Sequence, residues 1–202
     1  MSINVEYNNK EIKKLILENI LKMLSNRKWL DSYVDVYKNL LDTFENKINF
    51  DVLLNNNLTC SIYLINTKLT TITQNSPLDE YLSSNIDVHK IIIAKNVTKK
   101  VIKQIFTEYK NAEFFFEYEM LEDITCKKFI PIHEILNEEE REELLSKFSE
   151  YELSKILVTD IMARYYGAKI GDIFRITRPS YIAGKNIFYR RVVNGTLDIL
   201  FG

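Results

Sequence analysis

Apolar positions near the start of the chain recur at the three-and-four spacing of a helix. Ile12, Leu15, Ile16, Ile20, Met23 and Leu24 share one face over residues 10–25, which predicts a first helix packed against a core. Ser25-Asn26-Arg27-Lys28 ends it. Asp31 or Ser32 can cap a second helix with Tyr33, Tyr37, Leu40, Leu41 and Phe44 on one face, so the pair forms a helical hairpin. From residue 48 the pattern changes to alternation. Ile48, Phe50 and Val52, then Leu58, Cys60, Ile62 and Leu64, predict two strands around Asn55-Asn56-Asn57, with a further strand over 69–73.

Ser76-Pro77-Leu78-Asp79-Glu80 combines a capping serine, a proline at the first helical position and acids in the first turn, which starts a short helix reaching about Ser84. Residues 88–94 form an apolar strand broken only by His89 and Lys90. Thr98 then caps a helix with Val101, Ile102, Ile105, Phe106 and Tyr109 aligned, and 114–121 is a strand with aromatic residues on both faces. Strand, helix, strand at this spacing is a βαβ unit, so the first domain is a mixed sheet covered by helices. The helical aromatics Tyr33, Tyr37, Phe44, Phe106 and Tyr109 are expected in its core.

Phe129-Ile130-Pro131-Ile132-His133 interrupts regular structure, placing a boundary between domains 1–126 and 127–202. Asn137 caps a helix over 138–148, Glu140 completes its capping box, and Leu144, Leu145 and Phe148 face inward. The first glycine is Gly167. Asp160 caps a short helix over 161–166, Gly167 closes it in the left-handed conformation, and Gly171-Asp172 turns the chain into a strand over 173–178. A partner strand over 186–193 returns after the loop carrying Pro179 and Gly184. Ile173, Arg175 and Thr177 lie on one face of the hairpin and Phe174, Ile176 and Arg178 on the other. The fold class is α/β, more closely α+β: a mixed sheet with covering helices, then a small α+β domain.

Composition limits the chemistry. With 27 basic and 28 acidic residues the net charge is -1, which argues against a binder that holds nucleic acid through bulk positive charge. No apolar run approaches the roughly 20 residues of a membrane span, and a cytosolic or nuclear protein is expected. Cys60 and Cys126 are expected as buried thiols, and His89 and His133 as structural residues, since neither histidine has a second ligand at metal spacing. No phosphate loop precedes Gly167 and no Gly-x-Ser-x-Gly elbow occurs, so neither cofactor nor metal is expected. A magnesium nuclease would need an acid and an acid-x-Lys on adjacent strands. Glu11-Ile12-Lys13 and Glu108-Tyr109-Lys110 fall on helices, Glu45-Asn46-Lys47 at a helix end, and Asp51 has no such partner. Abundant Asn, Ile and Lys hint at an AT-rich source such as a large DNA virus or a protist.

Charge is uneven in the second domain. Residues 134–152 carry eight acids and two bases, whereas 164–193 carry seven bases (Arg164, Lys169, Arg175, Arg178, Lys185, Arg190, Arg191) and one acid, Asp172. A basic hairpin surface of this kind suits docking on an acidic or polar face of another protein.

Asp160, Ala163-Arg164-Tyr165-Tyr166-Gly167, Gly171-Asp172, Arg178-Pro179-Ser180, Ala183-Gly184 and Tyr189-Arg190 recur in order in one known family. On these residues the chain resembles RNA polymerase subunit 5. The archaeal members of that family are essentially the C-terminal domain alone, and the length of this chain matches the eukaryotic two-domain form. Ile161 and Ile182 stand where the family often has proline and threonine. The resemblance implies a restriction-endonuclease-like N-terminal jaw domain and a C-terminal assembly domain. It implies a non-catalytic subunit of DNA-dependent RNA polymerase that docks on the largest subunit, with the jaw near downstream duplex DNA. Such a subunit is intracellular, nuclear in a cell or in the virion and host cytoplasm if viral. Arg164, Tyr165, Gly167, Arg178, Pro179, Ala183, Gly184, Tyr189 and Arg190 are the expected partner-binding residues, and local charge selects Lys99, Lys100 and Lys103 as near DNA. A free-standing transcription adaptor using the same domain is the alternative, and a metal-dependent nuclease the third reading.

Overall fold

The alternation after residue 48 becomes an antiparallel pair, β1 (Asn49–Leu53) and β2 (Thr59–Ile65), turned by Asn57 at φ 60°. The computed structural model describes residues 9–44, 49–85, 87–180 and 184–196. It divides the chain into two units, Met1–Asp123 and Ile124–Gly202. In the first, β2 runs parallel to β3 (His89–Ala94) and β3 parallel to β4 (Ala112–Phe116), in the order β1-β2-β3-β4. The parallel steps are made through α3 (Pro77–Ser83) and α4 (Lys99–Glu108), so both are βαβ crossovers. Ile91, Ile92, Ile93, Phe114 and Phe115 are buried, as strands covered on both faces require.

The helical hairpin is α1 (Asn9–Asn26) and α2 (Tyr33–Phe44). The buried side of α1 is wider than one stripe, because Leu17, Asn19 and Leu21 are buried along with the predicted face. Asn19 survives there by donating to the Met120 carbonyl at 2.9 Å. The C-terminal end of α1 is fastened by Arg27, which donates to both carboxylate oxygens of Glu113 on β4 at 2.9 and 2.6 Å. Glu113 also lies 3.0 Å from His89, while Trp29 turns its face toward Arg27 and meets the His89 ring edge-on. His89 is thus a structural partner in this cluster.

The polar break in β3 has a physical use. Lys90 is buried and extends its ammonium to the Leu82 and Ser84 carbonyls at the end of α3, where a cation satisfies orphan carbonyls and the helix dipole. Burial pushes its pKa down. Ser76 caps α3 by accepting from the Asp79 amide at 3.2 Å.

Several local expectations change. Residues 69–73 form no strand; a single bridge joins Leu69 to Val97, since Leu69 is used to fasten the β3–α4 connection through Asn96 and Thr98. Thr98 does stand at the N-cap of α4, but its hydroxyl donates to the Thr70 carbonyl instead of accepting from the helix. The strand expected over 114–121 stops at Phe116, where the Glu119 carboxylate accepts from the Phe116 amide and closes a 3₁₀ turn, Glu117–Met120. Phe106 points outward because Val101, Ile102 and Ile105 already fill the buried side of α4, and Tyr37 is only half-buried. The Phe44 side chain and Ile48 lie outside the described residues. Cys60 is buried, and burial pushes its thiol up to about 12, whereas Cys126 is exposed.

In the second unit, β5 (Ile132–Ile135), β6 (Ser154–Leu157), β7 (Ile173–Ser180) and β8 (Gly184–Val193) are ordered β5-β7-β8-β6. The hairpin β7–β8 and its neighbour β5 are antiparallel, and β6 runs parallel to β8. Among the described residues this unit has two α-helices. α5 (Glu138–Lys147) has the predicted capping box, with Asn137 and Glu140 exchanging hydrogen bonds of 2.9 and 3.1 Å, and α6 spans Ile161–Tyr165. Leu144 is buried and Leu145 packs beside it, but Phe148 is exposed because the helix ends at Lys147 and its cap turns outward.

The Arg27–Glu113 pair sets an acid limit on the first unit. Burial alone would raise the Glu113 carboxyl, but the Arg27 charge and hydrogen bonds from His89 and Arg27 outweigh it and hold the pKa at about 2. A carboxyl depressed on folding adds stability that is complete above its ordinary 4.5 and lost as pH falls toward about 2. Urea titrations should show stability falling through that window. Arg27→Met should cost about 1.5–3 kcal/mol near neutral pH, because the part-buried carboxylate loses two charged hydrogen bonds. A cost under about 1 kcal/mol, typical of an exposed pair, would contradict the arrangement.

Candidate functional site

Among the described residues, side chains from the helices cover the second sheet at one end only. On one face Phe174, Ile176 and Val192 pack with Ala163 and Ala168; on the other Ile173 packs with Leu136 and Leu144 of the α5 side. Register then decides what the uncovered end presents. Ile132 opposes Thr177, which opposes Ile187, so these share the α5 face. Ile176 opposes Phe188, Phe174 opposes Arg190 and Arg178 opposes Asn186, so Phe188, Arg178 and Arg190 share the α6 face. Ile132 is 65% exposed, Ile187 50% and Phe188 44%. Burying an apolar side chain fully stabilises by about 1.5–3 kcal/mol, so three left half-open or more are a standing gain for whatever covers them.

The local chain builds this end from turns legible in the sequence. Asp160 caps α6 by accepting from the Met162 amide at 2.8 Å. Gly167 at φ 64° reverses the chain after α6, and Gly171 at φ 98° enters β7. His133 on β5 is buried beside Phe174, with Nδ1 2.8 Å from the Pro131 carbonyl, so it too serves the structure. Burial leads the lowering of its pKa, and nearby Arg190 and Arg178 push the same way against the Pro131 carbonyl and Asp160.

The seven bases of the hairpin region do not form one surface. Arg164 is buried and donates Nε to the Thr159 carbonyl at 3.3 Å. Arg175 donates to Glu134 and Glu140 at 3.0 and 2.8 Å, and Arg191 pairs with Glu150 at 3.1 Å. The acidic block before the hairpin therefore neutralises part of the basic block inside the unit. Among the described residues Lys169, Arg178, Lys185 and Arg190 are left without a carboxylate partner, Lys169 in the turn before β7 and the other three on the hairpin; Arg178 stands over the Phe188 ring at 5.7 Å. Tyr165 is also buried, so the structure places both Arg164 and Tyr165 in the core of the unit. Gly167 serves the turn after α6. Arg178, Pro179 and Gly184 are exposed near the hairpin tip, Tyr189 and Arg190 half-buried, and Ala183 lies outside the described residues. Ile132, Ile187 and Phe188 were missed, although an apolar Ile-Phe pair in the middle of a polar strand is a readable signal.

In the first unit Lys99, Lys100 and Lys103 are exposed at the start of α4, which has no acid in its first turn. Glu11 and Lys13 are on α1, Glu108 ends α4, and Asp51 opposes Ser61 across β1–β2; Glu45-Asn46-Lys47 is outside the described residues. Among the described residues no three His, Cys, Asp or Glu side chains converge as a metal site, and no helix is long and apolar enough to cross a membrane.

Comparison with known proteins falls on the second unit and extends beyond it. Residues 122–192 match the family described as RNA polymerase Rpb5, C-terminal domain. The chain is 31% identical over 202 residues to DNA-directed RNA polymerase subunit 5 of Acanthamoeba polyphaga mimivirus, covering 95% of this chain and 97% of that protein. It is 29% identical over 188 residues to a subunit shared by DNA-directed RNA polymerases I, II and III of Dictyostelium discoideum, covering 88% and 95%. Subunit Rpo5 of the Archaeoglobus fulgidus polymerase is 48% identical over 66 residues, covering 32% of this chain and 87% of that protein.

Arg164 and Arg178 should separate stability from contact. Arg164→Ala, which leaves the Thr159 carbonyl buried without its donor, should lower stability in urea titrations by about 1–3 kcal/mol. Arg178→Ala, at an exposed position, should stay within about 0.5 kcal/mol of the parent. Equal losses would mean that both arginines are structural.

Proposed function

The chain belongs to the RNA polymerase subunit 5 family, and from that premise we propose that it is a non-catalytic subunit of a multisubunit DNA-dependent RNA polymerase. The observation that carries this is the match to the mimivirus subunit over 95% of the chain, both units included. The polymerase's chemistry belongs to other subunits. The second unit, 124–202, docks on the largest subunit through the uncovered end of its sheet, and the first acts as a jaw beside downstream duplex DNA. The protein works inside the cell, in the nucleus of a cellular host or in virion and host cytoplasm for a virus.

Charge supports a contact made only in the assembly. A net charge of -1 gives the free chain little nonspecific attraction for phosphate, and even specialised proteins reach only about 10⁻⁴–10⁻⁶ M in this mode. Within the polymerase other subunits hold the duplex, and Lys99, Lys100 and Lys103 then act at high effective concentration.

Co-expression with the largest subunit of the same polymerase tests docking: the full chain should be retained in stoichiometric amount. A photoreactive residue at position 99 or 103 should crosslink downstream DNA in the assembled enzyme, and the free chain should bind the same duplex no tighter than about 10⁻⁴ M at physiological salt. Absence of crosslinks from any position of residues 1–123 would remove the jaw role, and failure of retention would favour a free-standing adaptor.

A further inference from the structure

The uncovered end of the second sheet presents more than an apolar patch, and its two faces differ. On the α6 face Arg178 and Arg190 flank Phe188, with Arg178 5.7 Å from the ring centre. On the α5 face Ile187 lies beside Ile132 across Thr177, and Lys185 stands opposite Pro179 one step toward the tip. We propose that this end receives an acidic, apolar-centred segment of the largest subunit, with carboxylates on Arg178 and Arg190 and an apolar side chain against Phe188. This rests on the docking role proposed above and specifies the chemistry of the partner.

Charge complementarity selects that occupant. The unit contains enough acid to satisfy Arg175 and Arg191, and does so through Glu134, Glu140 and Glu150. Among the described bases of the hairpin, Arg178 and Lys185 near the tip and half-buried Arg190 beside Phe188 have no carboxylate partner; Lys169, in the turn before β7, has none either. Asp160 is near His133, as Arg178 and Arg190 are, and its Oδ1 accepts from the Met162 amide as a helix cap, with no ion pair to either arginine. An incoming carboxylate meets guanidinium donors held in place by a strand ladder and an aromatic face, which suits the bidentate geometry of arginine. Nucleic acid would answer the two arginines but leave Ile132 and Ile187 on the reverse face uncovered. A protein segment wrapping the end of the sheet satisfies both faces.

The test uses the full chain co-expressed with the largest subunit of its polymerase. Carbodiimide joins a lysine amine to a carboxylate with loss of water, so it should link Lys185 to an Asp or Glu of the largest subunit. Arg178→Glu with Arg190→Glu should lower retention at least tenfold, Phe188→Ala should lower it at unchanged salt dependence, and Lys155→Glu on β6 should leave it unchanged. Circular dichroism and urea midpoints matching the parent show that the variants are folded. Lysine placed at the linked acid of the largest subunit should restore binding to the double variant. Parent-level retention of the double variant, no Lys185 link in a complex that forms, or retention abolished by nuclease would overturn the acidic-segment assignment and leave docking standing. A parent chain that is not retained removes the docking role, and this assignment with it.

Discussion

The pairing of β7 with β8 governs the second unit. Eight residue pairs run from Ile173–Arg191 to Ser180–Gly184, and the period of two along each strand assigns every side chain of the hairpin to one face. A slip by one residue would exchange the faces, turning Phe174 and Ile176 away from Ala163 and Ala168 and Arg175 away from Glu140. The register is held from both sides. β5 adds Ile132–Ile135 along β7, and β6 adds Ser154–Leu157 along β8 in the parallel sense. Which arginines are spent inside the unit, and which remain at the uncovered end, follows from this ladder.

The first unit depends on a different kind of constraint. Its parallel strands bury both faces, so few polar groups are tolerated, and Lys90, Asn19 and Arg27 are each bound to a specific acceptor. Lys90 closes the end of α3, Asn19 holds the Met120 carbonyl, and Arg27 holds Glu113. Removing one member of such a pair leaves the other desolvated, which is why these contacts fix helix positions more strictly than the surrounding isoleucines do. Surface lysines can then vary in role without disturbing the frame. The three at the start of α4 are exposed, in a first turn that carries no acid.

Much of this was legible in the chain, and the division follows the range of the interactions. The Ser76 and Asn137 caps, the Asp160 cap and the Gly167 turn were readable because each is completed within a few residues. Strands β5 and β6 were not, since four residues each, such as Ser154–Leu157, carry too little alternation to register as a pattern. Long-range neutralisation was also hidden: Arg175 meets Glu134 across 41 positions, which only strand pairing reveals. Charge counts suggested one basic surface. The structure instead consumes Arg164, Arg175 and Arg191 internally and leaves a smaller cationic end beside Ile187 and Phe188. Tyr165, expected from the resemblance at the interface, is buried in the unit, and its sequence position alone did not show that.

The central claim is that this chain joins a polymerase through the uncovered end of β7 and β8. An electron cryomicroscopy reconstruction of the polymerase purified through this chain, with a downstream duplex bound, tests it most directly. The account predicts the largest subunit packed over Phe188, Ile187 and Arg178, with the first unit facing the duplex. A reconstruction with the hairpin end in solvent, and the chain held to the enzyme through other surfaces, would contradict it.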